Sequence, residues 1–162
     1  MSIDRRSLIL GASTLATLGS PGVTESEPPK PTVKLPKERV TGIGGLFFRS
    51  RDPKALAEWY ERHLGIDPTP TDYQQSVWQQ SAGPTIFAPF PMDTKYFGSP
   101  QQVWMVNFRV RSLDAMIAQL QGSGIAVTVD AEAYPNGRFA RLHDPEGNPI
   151  ELWEPNGVAA HS

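Results

Sequence analysis

The chain has 162 residues, with 15 Lys+Arg against 17 Asp+Glu and a formal net charge of −2. That length suits one domain with appendages, and the charge balance argues against a nucleic-acid partner, whose footprint is a basic excess. There is no cysteine, which excludes disulfides, thiolate catalysis and Cys-ligated zinc or iron–sulfur sites, and no apolar run reaches the ~18 residues of a membrane span.

The elements follow in chain order. Arg5 and Arg6 precede about a dozen mildly apolar residues rich in small side chains, the layout of a secretory signal. Followed by Ser7, Leu8 and Ile9, the pair resembles a twin-arginine export signal. Residues 1–20 are therefore expected to direct export, to the periplasm or beyond the cell. Pro21, Pro28, Pro29, Pro31 and Pro36 make 21–38 an extended linker that cannot bury apolar area. The folded domain is expected over 39–156, with 157–162 a flexible tail.

Within the domain, 43–50 alternates as a strand, with Leu46, Phe48 and Ser50 on one face and Gly45, Phe47 and Arg49 on the other. Asp52 and Pro53 then open a helix as cap and first residue. Leu56, Trp59, Tyr60, His63 and Leu64 recur at helical spacing until Gly65 stops it. Short strands are expected at about 74–80 and 85–90. A second strand–helix pair follows, with the strand at 103–110, Ser112 as cap, and Leu113, Met116, Ile117 and Leu120 as the apolar stripe. Strands at about 125–129, 138–142 and 149–153 are bracketed by the turn signals at 135–137 and 144–148. The two halves repeat. Phe48-Arg49-Ser50-Arg51 returns sixty residues later as Phe108-Arg109-Val110-Arg111, with Ala55 matching Ala115 and Leu56 matching Met116. The predicted fold is α+β, two βαβββ modules in tandem.

The motifs Asp52-Pro53, Trp59-Tyr60, His63-Leu64-Gly65 and the run from His143 through Asp144, Asn148 and Glu151 to Leu152 carry a family likeness. They resemble the vicinal oxygen chelate superfamily, which includes glyoxalase I, bleomycin-resistance proteins and extradiol dioxygenases. The resemblance spans about 41–155 and implies the tandem βαβββ fold around a cleft, commonly in a homodimer. It also implies, for the enzymes, a divalent metal held by His or Glu on the first and last strands of each module. Here the first-strand positions fall on Gly45 and, by the repeat, Met105, neither a hard-metal ligand. Glu151 fills the last-strand position, while 86–90 offers no His, Asp or Glu as its counterpart. The family's metal site is therefore expected to be lost, or a divalent metal to be held in a site rebuilt from other groups; no other cofactor is expected.

Alternation assigns what remains in the cleft. Asn107 and Arg109 lie on the face opposite Phe108, Arg49 matches Arg109 by the repeat, and Glu151 and Trp153 alternate with Ile150 and Leu152. Two arginines, an asparagine, a carboxylate and an aromatic wall suit a small anionic or hydroxylated ligand. The alternation leaves open whether Glu151 is free to act or is paired with Arg109 or Arg49. The long segment 89–100 carries Tyr96 and Phe97 without a periodic face, as a pocket cover or a dimer contact would. His63 is read as a helix-end residue, His143 as part of a turn, and His161 as tail. Two functions follow. One is an exported small-molecule binding protein; the alternative is a lyase, isomerase or dioxygenase using Glu151 as catalytic base with Arg109 or Arg49 stabilising an oxyanion.

Overall fold

Asp52 begins the first helix, α1 (Pro53–Leu64), by accepting the Ala55 N–H at 3.0 Å. Pro53 sits where a missing N–H costs nothing. Gly65 closes the helix in the left-handed region at φ 68°, donating its N–H back to Glu61. The second helix, α2 (Leu113–Gly122), starts the same way, with Ser112 accepting from Ala115. Both helices therefore stand where their caps put them. This computed structural model describes residues 37–156, so the expected export segment, residues 21–36 of the linker and the tail 157–162 lie outside the described residues.

One four-stranded sheet carries the helices, all within the unit Gly45–Ser162. Its strands are β1 (Val106–Arg109), β2 (Thr128–Val129), β3 (Gly137–His143) and β4 (Pro149–Pro155), in the order β1-β4-β3-β2. β1 runs parallel to β4, and the other pairs are antiparallel. The β3–β4 hairpin closes through Asp144, whose N–H donates to the Asn148 carbonyl at 3.1 Å and whose carbonyl accepts from Gly147 at 3.0 Å.

One face of the sheet packs on the helices. Ala140, Leu142, Ile150 and Leu152 meet Leu56, Tyr60, Leu113, Ile117 and Leu120 in a single buried cluster. Leu113, Leu120, Ile150 and Leu152 are fully enclosed, each worth about 1.5–3 kcal/mol of transfer from water. Tyr60 adds a polar tie, donating its hydroxyl to Asp144 at 3.0 Å. Burial and the adjacent Asp144 charge push its pKa far up, so the phenol stays protonated.

The first half of the chain departs from expectation. Among the described residues it forms its helix but no strand, so the tandem βαβββ arrangement is not reproduced: 43–50, 74–80 and 85–90 run as irregular backbone. Alternation supplies faces, but a strand also needs a neighbouring backbone to bond. Among the described residues, none of these segments makes a backbone–backbone hydrogen bond. Several of their apolar side chains stay in solvent, with Phe47 93% and Phe87 88% exposed. The second copy keeps its plan in shortened form. The strand expected at 103–110 narrows to β1, and that at 125–129 to the two residues of β2.

Candidate functional site

β4 alternates as the sequence requires. Ile150 and Leu152 point toward the helices, so Glu151 and Trp153 face the other side of the sheet. In register with Glu151 stand Asn107 on β1 and Arg141 on β3. Cross-strand neighbours on one face are close enough for their side chains to meet. They do: Asn107 Nδ2 donates to Glu151 Oε2 at 2.8 Å, and Arg141 donates to Oε1 from Nη2 at 3.1 Å and Nε at 3.3 Å. A third group comes from outside the sheet. The Tyr96 hydroxyl donates to Oε1 at 2.7 Å.

Glu151 is thus buried, only 4% exposed, yet amply satisfied. Arg141 holds Tyr96 a second time, donating Nη1 to its carbonyl at 3.2 Å, and the guanidinium carbon lies 4.2 Å from the centre of the phenol ring. Phe90 stacks on the same ring at 4.9 Å, with Phe97 edge-on. Burial, then the hydrogen bond to Glu151, raises the Tyr96 pKa above its ordinary value, so it remains a donor.

The next row along the same face holds Arg109, Trp153 and Phe139 in register. Trp153 lies parallel to Phe139 at 6.2 Å and donates its indole N–H to the Asn136 carbonyl at 2.8 Å. Arg109 does not reach Glu151. It donates to the carbonyls of Ser81 at 2.7 Å and Ala82 at 3.1 Å, pinning that segment to the sheet edge. The expected cluster of Arg109, Asn107 and Glu151 is therefore corrected: Asn107 and Glu151 are joined, but the cation is Arg141. One row separates Arg109 from the carboxylate, and the carbonyls beside Gly83 take its donors. Arg49 is exposed and has no hydrogen-bond partner among the described residues.

Arg141 was legible in principle. A turn over 144–148 makes His143 and Pro149 opposite neighbours, and the antiparallel register then sets Arg141 against Glu151. The repeat points instead to Arg109 and Arg49, which share a sequence pattern but not a partner. His63 is half-buried beside Trp59, and its carbonyl accepts from Gln119 at 3.0 Å. His143 is exposed.

The turn 144–148 serves the scaffold. Asp144 accepts from the N–H groups of Glu146 and Asn148, from Asn148 Nδ2 and from Tyr60. Glu146 reaches across to accept from Ser50 Oγ at 2.8 Å and from the N–H groups of Arg51 and Asp52 at 2.9 Å. Those backbone donors, then Ser50, hold its carboxyl below the usual range. The turn so fixes the entry to α1.

All of this architecture but the last two residues of β4 falls within the match to a glyoxalase-like domain model, which covers residues 45–153. The chain belongs to the glyoxalase-like domain family. No curated protein matches it. Among solved structures it is similar to a glyoxalase/bleomycin resistance protein from Streptomyces sp. CB03234, at 36% identity over 34% of this chain and 48% of that one, with TM-score 0.29. This glyoxalase-like chain thus spans about half the length of that relative. It is also similar to TnmS3, an antibiotic-binding protein from the same organism, at 27% identity over 64% and 87% of the two chains, TM-score 0.41. A glyoxylase/bleomycin resistance protein/dioxygenase domain from Frankia sp. EAN1pec aligns at 17% identity over 72% and 99%, TM-score 0.44.

The metal held by enzymes of the superfamily does not fit this glyoxalase-like domain. Gly45 has no side chain and Met105 offers only a thioether. The remaining carboxylate, Glu151, is already held by Arg141, Tyr96 and Asn107. Among the described residues no three His, Asp or Glu side chains gather as a metal site.

Proposed function

We propose that this glyoxalase-like protein binds a small hydroxylated or anionic molecule on the sheet face bearing Asn107, Arg141 and Glu151, without the superfamily's metal. The observation that carries the reading is the state of Glu151: Arg141 and Tyr96 converge on Oε1, and Asn107 occupies Oε2. A general base must offer a lone pair to the substrate proton. On Oε1 such a proton would compete with donors already in place, and Oε2 is shared with Asn107, which favours binding over a lyase, isomerase or dioxygenase role for Glu151. Arg141 keeps 43% of its side chain in solvent, so an incoming acceptor has access to a guanidinium. Trp153 and Phe139 supply the aromatic floor beside it.

Export remains part of the proposal and rests on Arg5, Arg6 and the apolar stretch that follows. The homodimer rests on the family resemblance. A thermal-shift screen of small carboxylates, diols and phenols, with and without divalent cations, tests the binding reading. A true ligand raises the Tm, by the equivalent of about 2.7 kcal/mol at a hundredfold excess over Kd, and Asn107→Ala weakens it. Cation-dependent turnover of any compound, abolished by Glu151→Ala, would replace binding with catalysis.

A further inference from the structure

The Tyr96 side chain is itself a bound phenol. Its ring stacks on Phe90 at 4.9 Å with only 22° between the planes, it lies 4.2 Å from the Arg141 guanidinium carbon, and its hydroxyl donates to Glu151 at 2.7 Å. A ring partner, a cation over the ring and a carboxylate at the hydroxyl end together read the features of a hydroxylated aromatic.

The segment that delivers this ring is held weakly elsewhere. Within 91–101 the backbone bonds are local turns: Thr94 to Pro91 and Gly98 to Lys95. Among the described residues, the hydrogen bonds joining this segment to the sheet both involve Tyr96, through its hydroxyl and through its carbonyl on Arg141. Tyr96 is still 37% exposed. Withdrawing one side chain would therefore open the carboxylate without disturbing the core on the other face of the sheet.

We infer that Tyr96 is an intramolecular plug, and that the ligand of this site is a planar phenol that displaces it to take the same place between Phe90, Arg141 and Glu151. The inference rests on the binding function proposed above and names its ligand class. No bond is made or broken: one phenol hydroxyl replaces another on the Glu151 carboxylate. A tethered competitor lowers apparent affinity by the fraction of molecules in which the site is open.

p-Cresol, the Tyr side chain as a free molecule, and toluene, which lacks only the hydroxyl, are the probes. Each is titrated into the full chain and into Tyr96→Ala, with binding followed by the NMR signal of the Arg141 side-chain Nε–H. Tyr96→Ala is expected to bind p-cresol about tenfold tighter than the unaltered protein, the factor for a site closed roughly nine-tenths of the time. It is also expected to prefer p-cresol to toluene, and to lose that preference when Glu151→Gln is added. Tyr96→Phe, which keeps the ring and loses only the hydroxyl, should bind p-cresol with intermediate affinity. Equal p-cresol affinity in all three proteins, or equal affinity of Tyr96→Ala for p-cresol and toluene, would overturn the plug. If that happens while another screened ligand still binds in an Asn107-dependent way, the binding function stands and only the phenol assignment falls.

Discussion

Arg141 and Glu151 face each other across the β3–β4 hairpin, with Arg141 Nη2 3.1 Å from Glu151 Oε1. The pair is asymmetric: the carboxylate keeps 6% of its side-chain surface in solvent, the guanidinium 43%. Removing the exposed partner strands a buried charge, whereas removing the buried one leaves a charge that water can reach.

Arg141→Met is therefore expected to destabilise the domain more than Glu151→Gln. Breaking a fully buried pair costs about 3–5 kcal/mol; solvent around Arg141 reduces this to about 1–3 kcal/mol. The double variant should recover part of the loss, because no unpaired carboxylate remains. Urea unfolding midpoints of the four proteins measure the cycle. Equal costs for the two single changes would contradict the asymmetry.

Arg109→Met tests the complementary point. Arg109 bonds two backbone carbonyls near the surface, so its loss should cost about 1 kcal/mol or less. The NMR signals of Asn107 and Arg141 should stay in place while those of 81–83 move. A cost matching that of Arg141→Met would mean that Arg109, not Arg141, neutralises Glu151.

These two arginines also show what the sequence could and could not disclose. The helices were legible because Asp52, Pro53 and Gly65, and later Ser112, carry their boundaries in local chemistry. The hairpin was legible from 144–148 for the same reason. Asn107, Glu151 and Trp153 reached the expected face because β-strand alternation is also a local rule. Partner choice is not local. Arg49 and Arg109 share a motif, but one is exposed and the other holds Ser81 and Ala82. Tyr96, marked only by its place in an aperiodic segment, proves to cap the carboxylate. The alternating stretch 43–50 looked like a strand and lacks one, because alternation says nothing about whether a second backbone lies alongside.

Glu146 gives the stability a pH dependence whose sign follows from its depressed pKa. Folding favours its charged form, so this contribution is present above the unfolded value near 4.5 and is lost as pH falls through the lower folded value. Glu146→Gln should flatten the stability profile below about pH 4.5, leaving the slope that Asp114, held down by Arg138, supplies. Unfolding midpoints compared at pH 3.5 and 7 give the measurement. Parallel profiles for the two proteins would show that Ser50, Arg51 and Asp52 do not hold the carboxylate in solution.

Gly137 begins β3 at φ 139°, where the backbone of β4 passes so closely that an added Cβ would meet the Glu154 carbonyl and Trp153 Nε1. Backbone cannot step aside as a side-chain tip can, so Gly137→Ala must shift the hairpin or break the Trp153–Asn136 hydrogen bond. The expected cost is about 1–3 kcal/mol, accompanied by a change in Trp153 fluorescence. Gly147→Ala provides the contrast. Gly147 also has positive φ, at 87°, but an added Cβ would find nothing within 4 Å. It should pay only the left-handed strain of about 1–2 kcal/mol and leave the tryptophan signal unchanged. A Gly137→Ala protein with the emission spectrum of the unaltered chain would mean that β4 is not held against this end of β3, and that the aromatic floor formed by Trp153 and Phe139 is set by something other than the hairpin.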